Sequence, residues 1–205
     1  MSAHEALQRL REGNRQFATG ELSRETRPSH PKVAASAEQA PFAIVLGCSD
    51  SRVPAEIVFG QGLGDLFVIR VAGNIVAPSQ VGSVEFAAAS FGTRLVVVLG
   101  HTRCGAVLAT LDELQQPAEE QSPNLRSIVD RVRPSVEGLL RTELRHDREA
   151  LVRQAVRANI GVSVDHLRHG SDILEELIRL EGLRVVGAEY SLESGLVEFF
   201  DDAGI

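Results

Sequence analysis

Phe42-Ala43-Ile44-Val45-Leu46-Gly47-Cys48-Ser49-Asp50-Ser51-Arg52 is the stretch on which the reading of this chain turns. A short apolar run ends at a glycine and runs straight into a cluster of chemically reactive side chains. A second stretch repeats the plan. Arg94 to Leu99 is apolar after its first residue, Gly100 ends it, and His101-Thr102-Arg103-Cys104 follows. Short continuous apolar runs bounded by glycine read as strands buried on both faces.

The same pattern extends along the chain. Residues 2–19 predict an amphipathic helix, with Ser2 and Glu5 as a capping box, Gly20 as its stop, and Leu7, Leu10 and Phe17 on its apolar side. Residues 20–40, with Pro28 and Pro31, predict an irregular connection. After the run Phe42–Leu46 come a short helix over 54–59 started by Pro54 and a strand over 66–71. An alanine-rich helix over 81–91, a strand over 94–99 and a helix from Gly105 to Leu114 follow. Residues 122–180 predict helices broken at Pro123 and Pro134. A fourth strand is expected over 183–190, and a fifth over 196–200 returns as a hairpin after Ser194-Gly195. The expected fold class is therefore α/β, with a mainly parallel central sheet of four strands plus a C-terminal antiparallel strand, flanked by helices. One domain over 1–205 is expected, with residues 1–35 as an N-terminal helical arm.

Composition narrows the function classes. Of 205 residues 43% are hydrophobic and the formal net charge is -7, which argues against nucleic-acid binding through basic patches. With eight Phe, one Tyr and no Trp, base-stacking platforms are not expected. The apolar runs are far too short to span a bilayer. The charged start Met1-Ser2-Ala3-His4-Glu5 has no apolar signal core, and a cytoplasmic protein is expected.

The only two cysteines, Cys48 and Cys104, each follow an expected strand and have a further ligand-type side chain, Asp50 or His101, two or three residues away. In open α/β sheets, sites form outside the carboxyl ends of parallel strands. Two loops some fifty residues apart can therefore meet there. Thiolate, imidazole and carboxylate are zinc ligands. Cys104 is expected in the first turn of the next helix, where the dipole stabilises a thiolate. Asp50 has two readings: a fourth protein ligand, or a carboxylate held off by Arg52, which leaves a position open for water. A disulfide and a purely structural zinc are further readings of the two cysteines. Gly60-x-Gly62-x-Gly64 lacks the phosphate fingerprint, since Asp65 stands where it would need another glycine.

Several ordered motifs together resemble one family. Cys48-Ser49-Asp50-Ser51-Arg52-Val53-Pro54-Ala55-Glu56 is similar to the first signature of the β-class carbonic anhydrases. Gly64-Asp65-Leu66-Phe67-Val68-Ile69-Arg70-Val71-Ala72-Gly73-Asn74, Ser83-Val84-Glu85-Phe86-Ala87 and Gly100-His101-Thr102-Arg103-Cys104-Gly105 resemble the segments that follow. Leu7 to Asn14 resembles the family's N-terminal helix. The resemblance implies zinc-dependent reversible hydration of carbon dioxide to bicarbonate and a proton, with one Zn2+ per chain held by Cys48, His101 and Cys104.

By the same resemblance, Asp50 ligates zinc in a closed state, and in an open state pairs with Arg52 and orients the nucleophile; the open state is expected near neutral pH. Gln39 and the Gly105 amide would hydrogen-bond substrate. Phe67 and a partner-chain Phe86 would line an apolar pocket. A homodimer or homotetramer is implied, with the N-terminal helix reaching across its partner. Val71 stands where many relatives carry Asn. Val45 stands where the bicarbonate-regulated subclass carries Trp, although Arg70 and Tyr190 match the rest of that regulatory site. The missing Trp argues against inhibition by a second bicarbonate. Two competing readings are a hydrolase of a related linear molecule such as carbon disulfide, and a silent zinc module; intact Asp50 and Arg52 argue against the latter.

Overall fold

The computed structural model describes residues 1–21, 39–116 and 122–200. Helix α1 (Ala3–Thr19) begins at Ser2, whose hydroxyl accepts from the Glu5 amide while the Glu5 carboxylate accepts from the Ser2 amide. Such a cap contributes about 1 kcal/mol. The helix ends at Gly20 in the left-handed conformation, φ 73°. Both ends fall where the sequence signals put them.

The remaining elements are β1 (Ala43–Gly47), α2 (Ala55–Val58), β2 (Leu66–Arg70), a 3-10 turn at Ala72–Asn74, α3 (Pro78–Ser90), β3 (Leu95–His101), α4 (Gly105–Gln115), α5 (Pro123–Val136), two further 3-10 turns, α6 (Arg148–His169), α7 (Asp172–Glu181), β4 (Arg184–Tyr190) and β5 (Val197–Phe200). The strands form one sheet in the order β2-β1-β3-β4-β5. The first four are parallel, and β5 pairs antiparallel to β4, with Tyr190 opposite Val197. This is the mainly parallel α/β sheet expected from the continuous apolar runs.

The central strands β1, β3 and β4 are buried on both faces, and side chains alternate between them as the period of two requires. Ile44, Leu46, Val96, Val98 and Val185 join one core with the helices α3 to α7. Ala43, Val45, Leu95, Val97, Leu99, Val186 and Tyr190 join the other, beneath α1 and α2.

Three boundaries differ from the sequence expectation. Helix α3 starts at Pro78, not at Val81; proline at a first helical turn is a start signal, because its missing N–H has no intrahelical partner to lose there. Pro134 does not break its helix but lies in the last turn of α5. Strand β3 continues past Leu99 through Gly100 and His101, because β4 is long enough to pair with both, at Glu189 and Tyr190. Gly100 suits that place, since a Cβ there would lie 2.5 Å from the Ile160 side chain of α6.

The apolar side of α1 is covered by its own chain. Ala3, Ala6, Leu7 and Leu10 pack in the second core. Asn14, buried, donates from Nδ2 to the carbonyls of Val58 and Gly195 and accepts from the Val197 amide, so that α1 is tied to α2 and to the β4–β5 hairpin. The part of the expected 1–35 arm that includes residues 22–35 lies outside the described residues.

Beside Asn14, Gly13 lies so close to α2 that a Cβ would sit 1.9 Å from the Phe59 carbonyl oxygen. Backbone cannot yield as a flexible side-chain end can. Gly13→Ala is expected to lift α1 from the sheet and to destabilise the protein by about 1–3 kcal/mol, read as a lowered thermal midpoint; an unchanged or raised midpoint would disprove this tight docking.

Candidate metal centre

Strands β1 and β3 lie side by side and parallel, with Gly47 opposite Leu99, so their carboxyl ends emerge at one edge of the sheet. Cys48 follows β1 at once. His101 is the last residue of β3, not a residue beyond it as the sequence suggested. Arg103, at φ 56°, takes a left-handed conformation uncommon for a residue with a side chain. It turns the chain between strand and helix within a few residues and brings Cys104 back toward His101. Cys104 is the residue that caps α4, one position before the first turn in which it was expected.

The ligand atoms of Cys48, His101 and Cys104 lie within 4.8 Å of one another, and all three residues are buried. The two sulfurs are 3.9 Å apart, and both cysteines are free thiols, so the disulfide reading is not realised. His101 Nδ1 lies 3.0 Å from the Thr102 carbonyl oxygen, a bond that makes Nδ1 the protonated nitrogen and leaves Nε2 with its lone pair. Nε2 is fully buried without any hydrogen-bond partner. A buried orphan of this kind is costly, and here it faces two sulfurs. A lone pair and two thiolates converging on one point form a donor set that fits Zn2+.

The two thiols do not share charge equally. The Cys48 thiol is pushed down to about 4, first by the hydrogen bond from Cys104, with the Gly73 amide, 3.4 Å from its sulfur, acting in the same direction against burial. The Cys104 thiol is pushed up by Cys48 and by burial, which outweigh the amides of Val107 and Ala106 at the start of α4. Two adjacent buried thiolates repel, and a divalent cation between them is what allows both to ionise.

Asp50 is bound by Arg52. The guanidinium donates from Nε to Oδ1 at 2.9 Å and from Nη2 to Oδ2 at 2.7 Å, and the Arg52 amide donates to Oδ1 at 3.0 Å. This bidentate pair holds the Asp50 carboxyl far below the usual carboxylate range. Oδ2 stands 3.9 Å from His101 Nε2, so the carboxylate faces the cluster while bound elsewhere. Arg70, matched in the sequence to a regulatory site, has a local task. It donates to the carbonyls of Cys48 at 3.1 Å and Asp50 at 2.7 Å and so clamps the loop that carries both.

Of the other residues singled out, Phe67 is half-buried and Phe86 exposed. Their ring centroids are 6.1 Å apart within one chain, with Phe91 completing an aromatic group. Gly105 is the first residue of α4. Gln39 is exposed, four residues before β1. Val45 and Tyr190 share the core beneath α1.

The carbonic anhydrase family model matches residues 43–197. Carbonic anhydrase 2 of Mycobacterium tuberculosis is 37% identical over 205 residues, covering 97% of this chain and 93% of its own length. The chain belongs to the carbonic anhydrase family. The carbonic anhydrase of Mycolicibacterium smegmatis is 36% identical, with 97% and 94% covered. Among solved structures, the β-carbonic anhydrase CafA of Aspergillus fumigatus superposes with a TM-score of 0.74 at 28% identity, covering 90% of this chain and 86% of its own. The β-carbonic anhydrase CcaA superposes with a TM-score of 0.71 at 29% identity, covering 95% and 87%. These likenesses assign the chain to the β class, whose cofactor is zinc, and the Cys48, His101, Cys104 cluster is the site that fits it.

In this carbonic anhydrase the sequence pattern missed the buried pair Asn159 and Ser163 on α6. Asn159 donates to the Gly73 carbonyl and Ser163 to the Asn74 carbonyl, behind Cys48. The signal was present: both fall four apart on the apolar side of a helix among Ala155, Val156, Ile160 and Val164.

Because its folded-state value is depressed, Asp50 stays ionised as pH falls through the ordinary carboxylate range near 3.9, and the pairing with Arg52 is lost only below that range. Carbon-13 NMR of the Asp50 carboxyl should show no titration midpoint between pH 8 and about 3. A midpoint at the ordinary value would contradict the clamp.

Proposed function

We propose that this chain catalyses the zinc-dependent, reversible hydration of carbon dioxide to bicarbonate and a proton, with Asp50 and Arg52 as its catalytic dyad. The observation that carries this reading is the buried Cys48–His101–Cys104 cluster with an orphaned imidazole nitrogen, beside a carboxylate already engaged by an arginine. Cys48, His101 and Cys104 would hold the ion. Zinc, when bound, supplies a Lewis acid that brings the ionisation of water to near neutral pH.

The protein's own groups then set direction. Asp50, kept anionic by Arg52, accepts a hydrogen bond from the nucleophile and fixes its orientation. Arg52 occupies the carboxylate oxygens and so competes with direct ligation by Asp50; this favours the open site at neutral pH. Arg70 keeps the loop carbonyls of Cys48 and Asp50 in place. Phe67 and the Phe86 of a second copy of the chain would offer apolar wall to an uncharged linear substrate. The amides of Gly105 and of the Gln39 side chain offer donors to the oxygen on which charge develops. The proton leaves to buffer.

A homo-oligomer is part of the proposal, with a dimer as its smallest form. Phe86 is more than half exposed within an aromatic group that one chain leaves uncovered. Two β-carbonic anhydrases of Sordaria macrospora, similar to this chain at 25% identity with a TM-score of 0.73, are tetrameric. Among the described residues no helix is long and apolar enough to cross a membrane. Free thiol ligands suit a reducing compartment, which favours the cytoplasm.

The test is stopped-flow hydration of carbon dioxide on protein of known zinc content, at pH 7 and near pH 9. Fast turnover is expected at both, since Asp50 is paired with Arg52 rather than with the metal. Activity confined to the higher pH would show Asp50 closing the site at neutrality. No hydration at either pH with zinc bound would overturn the activity itself. Asp50→Ala and Arg52→Ala are expected to keep zinc and lose at least about 100-fold in kcat/KM; undiminished turnover in either would refute the dyad. His101→Ala is expected to lose the metal as well, read by elemental analysis after dialysis.

A further inference from the structure

The cluster rests on a polar layer that the proposed mechanism does not use. The 3-10 turn at Ala72–Asn74 carries two residues with positive φ, Gly73 at 72° and Asn74 at 44°. The Gly73 amide donates to the Cys48 sulfur. A Cβ at Gly73 would lie 3.0 Å from that of Ala106 on α4, so the turn is both conformationally demanding and tightly enclosed. Its shape is held from α6. Asn159 Nδ2 donates to the Gly73 carbonyl at 2.8 Å, and Ser163 Oγ donates to the Asn74 carbonyl at 3.0 Å. Both side chains are almost fully buried. Neither touches the cluster, yet together they anchor two successive carbonyls of the segment whose amide points at the sulfur.

We propose that Asn159 is a positioning residue for the metal centre: by holding the Gly73 carbonyl it keeps the Gly73 amide aimed at the Cys48 sulfur, and so sets the position and electron density of that sulfur toward zinc. An N–H donor at a metal-binding thiolate draws charge off the sulfur and fixes its lone-pair direction. Groups that orient ligands in this way typically change metal affinity by about 10- to 100-fold when removed. Ser163 supports the same turn one residue further on, and its contribution is smaller because the Asn74 carbonyl is not part of the residue that touches sulfur. The inference rests on the reading of Cys48 as a zinc ligand.

The experiment uses the full chain and two probes, zinc in competition with a chromogenic chelator and cobalt(II) as a spectroscopic substitute. Asn159→Leu keeps similar bulk and removes the donor. It is expected to weaken zinc binding by about 10- to 100-fold and to move the sulfur-to-cobalt charge-transfer band to longer wavelength, as a more electron-rich sulfur requires. Ser163→Ala deletes a single oxygen and is expected to shift both readouts in the same direction by less; it serves as the test if Asn159→Leu does not fold. A lower thermal midpoint with zinc affinity and cobalt band both unchanged would reduce Asn159 to a satisfied core residue and overturn the proposal. Failure of the unsubstituted protein to take up either metal would instead overturn the zinc reading on which it rests.

Discussion

The parallel pairing of β1 with β3 is the constraint on which the site depends. Parallel neighbours end on the same side of a sheet, so the residues after Gly47 and Leu99 emerge together although some fifty residues separate them. The pairing is held by burial on both faces: every residue of both strands is buried. Fully burying side chains of this size contributes about 1.5–3 kcal/mol each, and it is their sum over the two strands that fixes the pairing. A strand that slipped by one residue would exchange its two faces and part Cys48 from His101. Register in the core and geometry at the site are therefore the same fact.

Around that frame, the site is organised by charge. Two buried sulfurs cannot both ionise side by side, and the result is a low value at Cys48 and a raised one at Cys104. The orphaned His101 Nε2 adds a lone pair to the same space. One divalent cation resolves all three strains. Asp50 would otherwise be the natural fourth donor, but the three hydrogen bonds from Arg52 hold it back. The loop that presents this pair is in turn fastened by Arg70, and the Cys48 sulfur is met from behind by the Gly73 amide. Each reactive group is thus supported by a group that does not itself react.

Much of this was legible in the residues. Apolar runs ended by glycine announced β1 and β3, and the Ser2–Glu5 box and Gly20 bounded α1 to within a residue. Cys48, His101 and Cys104 stood out because residue type and position after a strand agreed. The start of α3 at Pro78 had a local signal that was passed over, whereas the other two misplaced boundaries share a cause. The end of β3 depends on how far β4 runs alongside it, and the fate of Pro134 depends on where α5 ends; neither is a local property. Asn159 and Ser163 escaped notice because a polar residue on an apolar helix face gains meaning only when the opposing carbonyls are known. The approach of the two sulfurs to 3.9 Å could not be read from the residues, because it depends on how two loops distant in the chain meet.

The sequence by itself determined the α/β class, the ends of the first helix, the identity of the side chains that fit a metal and the adjacency of Asp50 to Arg52. Each of these is written in residue type and short-range spacing, where propensity, capping and hydrophobic period act. The strand order, the docking of α1 through Gly13 and Asn14, the approach of the two sulfurs to 3.9 Å and the support of Gly73 by Asn159 were decided by the tertiary structure. They arise between residues distant in the chain, and distance in space, not in sequence, governs packing, desolvation and the energy of one charge beside another.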